Sequence, residues 1–275
     1  MLAVLCPGQG AQTPGMLLPW LELEAVAAHL AELSEATNVD LRTHGTLSDA
    51  DTIRDTSIAQ PLLVASALLT GRALLGTALP AHAVVAGHSV GGAYALAYAM
   101  DYPKKVAGVA LIDSASPYQF DLPSYPTFYA LWRRGSALLP TLARAGIARV
   151  YSLGMGASTL PPDARRQARA FSSLPREVRA DRDEFAELKT VLHQDQALTS
   201  LHGKPLFVLT ADLGQQSGWS ASQDKLATLS SNSAHRTTQG ATHVALLEDE
   251  HYAAVSSQAI ASVVRAVRTG TPLAR

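Results

Sequence analysis

Val84-Val85-Ala86-Gly87-His88-Ser89-Val90-Gly91-Gly92 joins a short apolar run to an alanine-rich segment through a Gly-x-Ser-x-Gly turn. The β-branched residues before the turn predict a buried strand, and the alanines after it predict a helix. A serine on such a strand-to-helix turn is held up into a cleft in a strained backbone conformation, a nucleophile elbow. Gly87 and Gly91 lack Cβ atoms, which lets strand and helix approach closely around Ser89. The helix N-terminus beyond points free N–H groups at any oxyanion formed there. Ser89 is therefore the candidate nucleophile. The plainer reading is a glycine-rich turn with an incidental serine.

Working outward, apolar runs at 2–6, 83–87, 106–112 and 205–210, and a weaker one at 234–239, predict buried parallel strands. Helical spacing covers 21–36, 60–76, 91–101 and 250–268, with Pro61 expected in a first turn. Strands alternating with helices predict an α/β fold, a parallel sheet covered on both faces. Residues 114–202 break the rhythm with Pro117, Pro123, Pro126, Pro140, Pro161, Pro162 and Pro175 and with helical patches such as 127–151. So long a stretch exceeds ordinary loops and predicts an inserted helical cap. The expected organisation is a core of 1–113 and 203–268, a cap at 114–202 and a frayed tail at 269–275.

Bulk properties narrow the function classes. Apolar residues make up 47% of the 275 and charged residues 16%, with a net charge of −1. That balance gives no electrostatic grip on nucleic acid or an anionic membrane, and neither is expected as a partner. The single cysteine, Cys6, forms no internal disulfide and fits a reducing compartment. The first residues lack the basic flank of a signal peptide, and no stretch is apolar for long enough to span a bilayer. A cytoplasmic protein is the expectation. The histidines lack paired metal-ligand spacing, and Gly8-Gln9-Gly10 lacks the acidic residue of a dinucleotide site, so no metal or cofactor is expected.

Two resemblances meet at the elbow. Pro7-Gly8-Gln9-Gly10-Ala11-Gln12, the run Asp51-Thr52-Ile53-Arg54-Asp55-Thr56, Ile58-Ala59-Gln60-Pro61-Leu62-Leu63 and Gly87-His88-Ser89-Val90-Gly91 resemble the malonyl-CoA:acyl-carrier-protein transacylases of actinobacterial type. That resemblance covers about residues 1–91. From 87 to 268 the chain resembles α/β-hydrolases of the lipase/esterase and epoxide-hydrolase kind. Tyr102-Pro103, Val109 to Pro117, Pro205 to Thr210 and Gly240-Ala241-Thr242-His243 carry it. Residues 92–113 and 203–268 thus form the hydrolase-like part of the core. A hydrolase of this kind has several strands before its elbow and the first part supplies one, so a small sheet with an open edge is expected.

A serine hydroxyl requires a general base. His243 follows the last expected strand and precedes the last helix, in the chain order Ser, acid, His. His88, beside the nucleophile, is expected to pack or position; His193, His202, His235 and His251 stand in polar contexts and are expected to be solvated. Two aspartates qualify as the acid that orients the imidazole. Asp113 ends the strand after the elbow helix, and Asp212 ends the next one. The expected oxyanion donors are the Val90 N–H and, through the transacylase resemblance, Gln12. Those transacylases hold the malonyl carboxylate with an arginine soon after the elbow, whereas Gly91 to Ser116 here holds only Lys104 and Lys105. The leading expectation is hydrolysis of a small carboxylic ester or related acyl substrate through an acyl-enzyme. The alternative is acyl transfer, from a coenzyme A thioester to acyl carrier protein.

Overall fold

The computed structural model describes residues 12–75, 83–147, 159–172 and 174–273, and among these the elbow strand, β1 (Ala83–His88), lies at one edge of a four-stranded parallel sheet followed in order by β2 (Val106–Ile112), β3 (Leu206–Leu213) and β4 (Ser233–Thr242). The expected strand at 2–6 lies outside the described residues. The chain divides into two compact units, 1–81 and 82–275.

The first unit holds α1 (Glu24–Thr37), α2 (Leu41–Thr46) and α3 (Thr56–Leu75), packed around Leu17, Val26, Leu30, Leu41, Ile53, Leu62 and Leu69. α3 begins earlier than the proline pattern implies, because Asp55 accepts from the Ser57 N–H at 2.9 Å and so caps the helix. Pro61 therefore lies inside α3 rather than in its first turn. It removes one intrahelical bond, which the packing of Leu62, Ala65 and Leu69 offsets.

The second unit runs β1 (Ala83–His88), α4 (Val90–Asp101), β2 (Val106–Ile112), α5 (Tyr125–Ser136), α6 (Leu139–Arg144), α7 (Pro162–Ser172), α8 (Pro175–Asp195), β3 (Leu206–Leu213), α9 (Trp219–Ala227), β4 (Ser233–Thr242), α10 (Ala245–Glu248) and α11 (Glu250–Thr269). Between β2 and β3 the described residues form helices and no strand. Alternate strand residues face opposite ways. Ala110, Ile112, Phe207, Leu209 and Ala211 meet Ala259, Val263 and Ala266 of α11 on one face. Val109, Leu111, Leu206 and Val208 meet Leu96 and Ala99 of α4 and Leu226 of α9 on the other. Fully buried parallel strands of this kind read as continuous apolar runs, and β2 does.

Register fixes what leaves the sheet together. His88 pairs with Ile112, and Ile112 with Leu209, so β1 and β2 end at one level while β3 continues to Leu213 along β4. Ser89 and Asp113 consequently leave neighbouring strands side by side. β4, weak in the sequence, is a full strand of 10 residues that delivers His243 at its end. The tail is not frayed at its start: the Leu273 N–H donates to Asn232 Oδ1 at 2.8 Å, and its side chain is buried beside α11.

Leu209 is fully buried between β3 and α11. Leu209→Ala is expected to lower unfolding free energy by about 2–5 kcal/mol in urea denaturation. Leu131→Ser, at a site 72% exposed, is expected to change it by less than about 0.5 kcal/mol.

Candidate active site

The turn from β1 into α4 holds Ser89 at φ 56°, ψ −130°, a conformation that costs a non-glycine residue about 1–3 kcal/mol. Backbone bonds on both sides fix it. The Ser89 N–H donates to Ile112 O at 3.3 Å, and Ser89 O accepts from Gly92 N at 3.1 Å and Ala115 N at 2.9 Å. The β2 end thus clamps the elbow. A Cβ on Gly87 would overlap the Gly91 carbonyl, and one on Gly92 would overlap Ser114 Oγ. A Cβ on Gly91 would meet nothing within 4 Å among the described residues. The close approach expected of Gly87 and Gly91 therefore belongs to Gly87 and Gly92; Gly91 contributes its backbone. Val90 opens α4, where an N–H has no intrahelical acceptor.

Opposite the elbow, Asp113 side-chain atoms are 0% exposed while His243 is 40% exposed. His243 Nδ1 lies 2.6 Å from Asp113 Oδ2. A carboxylate only accepts, so Nδ1 carries the proton and the neutral ring has its lone pair on Nε2. Asp113 also accepts from Ala211 N at 3.2 Å, Gln215 Nε2 at 2.9 Å and Trp219 Nε1 at 3.1 Å. Burial raises its carboxyl pKa, but the bonds from His243, Trp219 and Gln215 outweigh burial and hold it below the usual aspartate value. The group stays ionised where an imidazolium would need it.

His88 ties the imidazole to the elbow. Its Nε2–H donates to the His243 carbonyl at 3.1 Å, and the two rings are 4.3 Å apart at 31°. Burial, reinforced by the neighbouring His243, pushes His88 down to about 4. It is neutral near pH 7 and a donor at Nε2, in keeping with a positioning role.

Of the two candidate acids, only Asp113 reaches His243; Asp212 makes no hydrogen bond to it. Gln12 is buried in the 1–81 unit, and the rest of its Pro7–Gln12 loop lies outside the described residues. His235 is held rather than solvated: Asp224 Oδ1 lies 2.6 Å from Nδ1, and Thr210 Oγ1 lies 2.8 Å from Nε2. Gln215 and Trp219 carry no motif signal, since an amide and an indole turned onto a carboxylate become visible only in three dimensions. No helix of the described residues is long and apolar enough to cross a membrane.

Residues 3–258 match the profile described as the alpha/beta hydrolase family. The chain belongs to that family. Solved structures with the same fold include an alpha/beta hydrolase, so described provisionally, from a Nostoc species. It is 19% identical, with a TM-score of 0.51 over 70% of each chain. A Salmonella enterica protein provisionally described as an acyltransferase is also 19% identical, with a TM-score of 0.51 over 71% of this chain and 67% of that one. Curated relatives are malonyl CoA-acyl carrier protein transacylases. That of Mycobacterium tuberculosis is 48% identical over 101 residues, 35% of this chain and 33% of that protein. That of Mycolicibacterium smegmatis is 47% identical over 85 residues, 30% and 29%. The chain spans about a third of the length of these relatives.

In this alpha/beta hydrolase the glycines sort by geometry. Gly91→Ala is expected to retain the folded elbow. Gly87→Ala and Gly92→Ala are each expected to lower thermal stability by several degrees, read by differential scanning fluorimetry. A second expectation concerns pH. The unfolded chain protonates His88 near 6.5 and the folded chain only near 4. Its contribution to stability is therefore complete above pH 6.5 and is lost as pH falls from there toward 4. The urea midpoint of the wild type should fall over that window, and that of His88→Phe should fall less; equal falls would contradict the assignment.

Proposed function

We propose that this chain is a serine hydrolase that cleaves a small carboxylic ester or related acyl substrate through an acyl-enzyme on Ser89. The observation that carries the reading is the His88–His243 contact, which seats an Asp113-bound imidazole beside the elbow. In the first half-reaction Ser89 Oγ attacks the acyl carbon while His243 Nε2 takes the hydroxyl proton. The tetrahedral oxyanion faces the Val90 N–H at the start of α4. Imidazolium formation is stabilised by the ionised Asp113, and the same Nε2 then returns the proton to the leaving oxygen or sulfur. In the second half-reaction His243 Nε2 takes a proton from the water that attacks the acyl carbon, the Ser89 Oγ–acyl bond breaks, and the proton returns to Ser89 Oγ as the acid leaves.

A second reading is transfer of the acyl group, malonyl in particular, from coenzyme A to acyl carrier protein. The identity shared with the transacylases supports it over about a third of the chain. Against it, α4 holds no arginine or lysine to pair with a malonyl carboxylate, and the first cations after the elbow are Lys104 and Lys105. Covalent loading of Ser89 by malonyl-CoA, with passage of the label to carrier protein, would favour this reading over hydrolysis.

Turnover of p-nitrophenyl esters tests the leading reading. Ser89→Ala and His243→Ala are each expected to lower kcat by about 10³–10⁶-fold, and Asp113→Asn by about 10⁴-fold through the wrong imidazole tautomer. Asp212→Asn should cost far less than Asp113→Asn. Undiminished turnover in Ser89→Ala or His243→Ala would sink the triad, and a larger loss from Asp212 than from Asp113 would exchange the acids.

A further inference from the structure

Behind Asp113, at the carboxyl end of β3, a cavity of about 240 Å³ is lined by Thr210, Asp212, Gln215, Gln216, Trp219 and Thr237 among others. Its hydrogen-bonding wall is lopsided. One Gln215 amide N–H and the Trp219 indole N–H are committed to Asp113 at 2.9 and 3.1 Å. Thr210 is 1% exposed, and its hydroxyl is bound by His235 Nε2 at 2.8 Å. Asp224 sits 2.6 Å from Nδ1 of the same ring and fixes the proton there, so in the neutral ring Nε2 accepts the Thr210 hydrogen. Thr210 Oγ1 is then left with acceptor lone pairs only. Asp212 Oδ1 and Gln216 Oε1 are buried without any donor. Asp212 is the one charged residue among those lining the cavity, and among the described residues no cation pairs with it.

Unpaired acceptors around one uncompensated carboxylate call for a donor that brings positive charge. We propose that this cavity binds a small hydrogen-bond-donating cation, a primary ammonium, held by Asp212 and Gln216 Oε1 with the Trp219 indole as a cation–π wall. Because Gln215 and Trp219 both line the cavity and grip Asp113, the bound cation acts on the partners of the carboxylate that orients His243. That last link rests on the hydrolytic reading; binding itself does not.

Thermal melts of the full chain against methylammonium chloride test the proposal, with tetramethylammonium chloride at equal ionic strength as a cation lacking N–H donors. The melting temperature is expected to rise saturably with methylammonium and not with tetramethylammonium. In Asp212→Ala the half-saturating concentration is expected to increase about tenfold or more, the loss of one charge-assisted hydrogen bond. Gln216→Met provides a second variant if Asp212→Ala does not fold, with a smaller increase expected. Ser89→Ala protein should respond as the wild type does, so the binding result stands apart from hydrolysis. No saturable rise, an equal rise with tetramethylammonium, or an unchanged half-saturation in both variants would overturn the site.

Discussion

Asp113 is a carboxylate taken wholly out of water, and a charge so placed is tolerable only when several donors converge on it. They come from Ala211 on β3, Gln215 in the loop after it, Trp219 on α9 and His243 after β4. One side chain thereby ties the end of β2 to four later segments of the chain. Removing the charge would orphan those donors as well as free the imidazole. The same interaction that organises the carboxyl end of the sheet also sets the tautomer of His243, so structure and chemistry share a single constraint.

The register of the sheet brings that constraint to the elbow. With His88, Ile112 and Leu209 paired in a row, the residues that follow on β1 and β2 emerge together. Ser89 is clamped by the Ile112 carbonyl and the Ala115 N–H, which lie on either side of Asp113 in sequence. Ser89 and Asp113 are thus positioned by the same short stretch at the end of β2. His88 completes the frame by holding the backbone of His243. Its depressed pKa keeps positive charge off the ring that lies 4.3 Å from that of His243.

Much of this was legible in the sequence, and for physical reasons. β2 and β3 are buried on both faces, so they read as unbroken apolar runs; the elbow needs glycines at fixed spacing, so it reads as a motif. What escaped was set by distant partners. β4 carries three threonines, a glutamine, an arginine and a histidine because its exposure is mixed, and its apolar signal is correspondingly weak. Gly91 carried the pattern while Gly92 carried the crowding, a distinction that depends on where Ser114 lies. Pro61 marks a first turn only if Asp55 is not already a cap. The choice between Asp113 and Asp212 could not be made from spacing, because both end strands, and only the fold turns one of them toward His243.

The proposed mechanism depends on activation of Ser89 by the Asp113-oriented imidazole of His243. Labelling the folded chain with a fluorophosphonate probe, followed by mass mapping of the modified peptide, tests it most directly, since the probe reacts only with a serine whose hydroxyl is both accessible and activated. One modified residue, Ser89, is expected, with labelling lost in His243→Ala. Labelling at another serine, no labelling of folded protein, or labelling of Ser89 that persists in His243→Ala would contradict it.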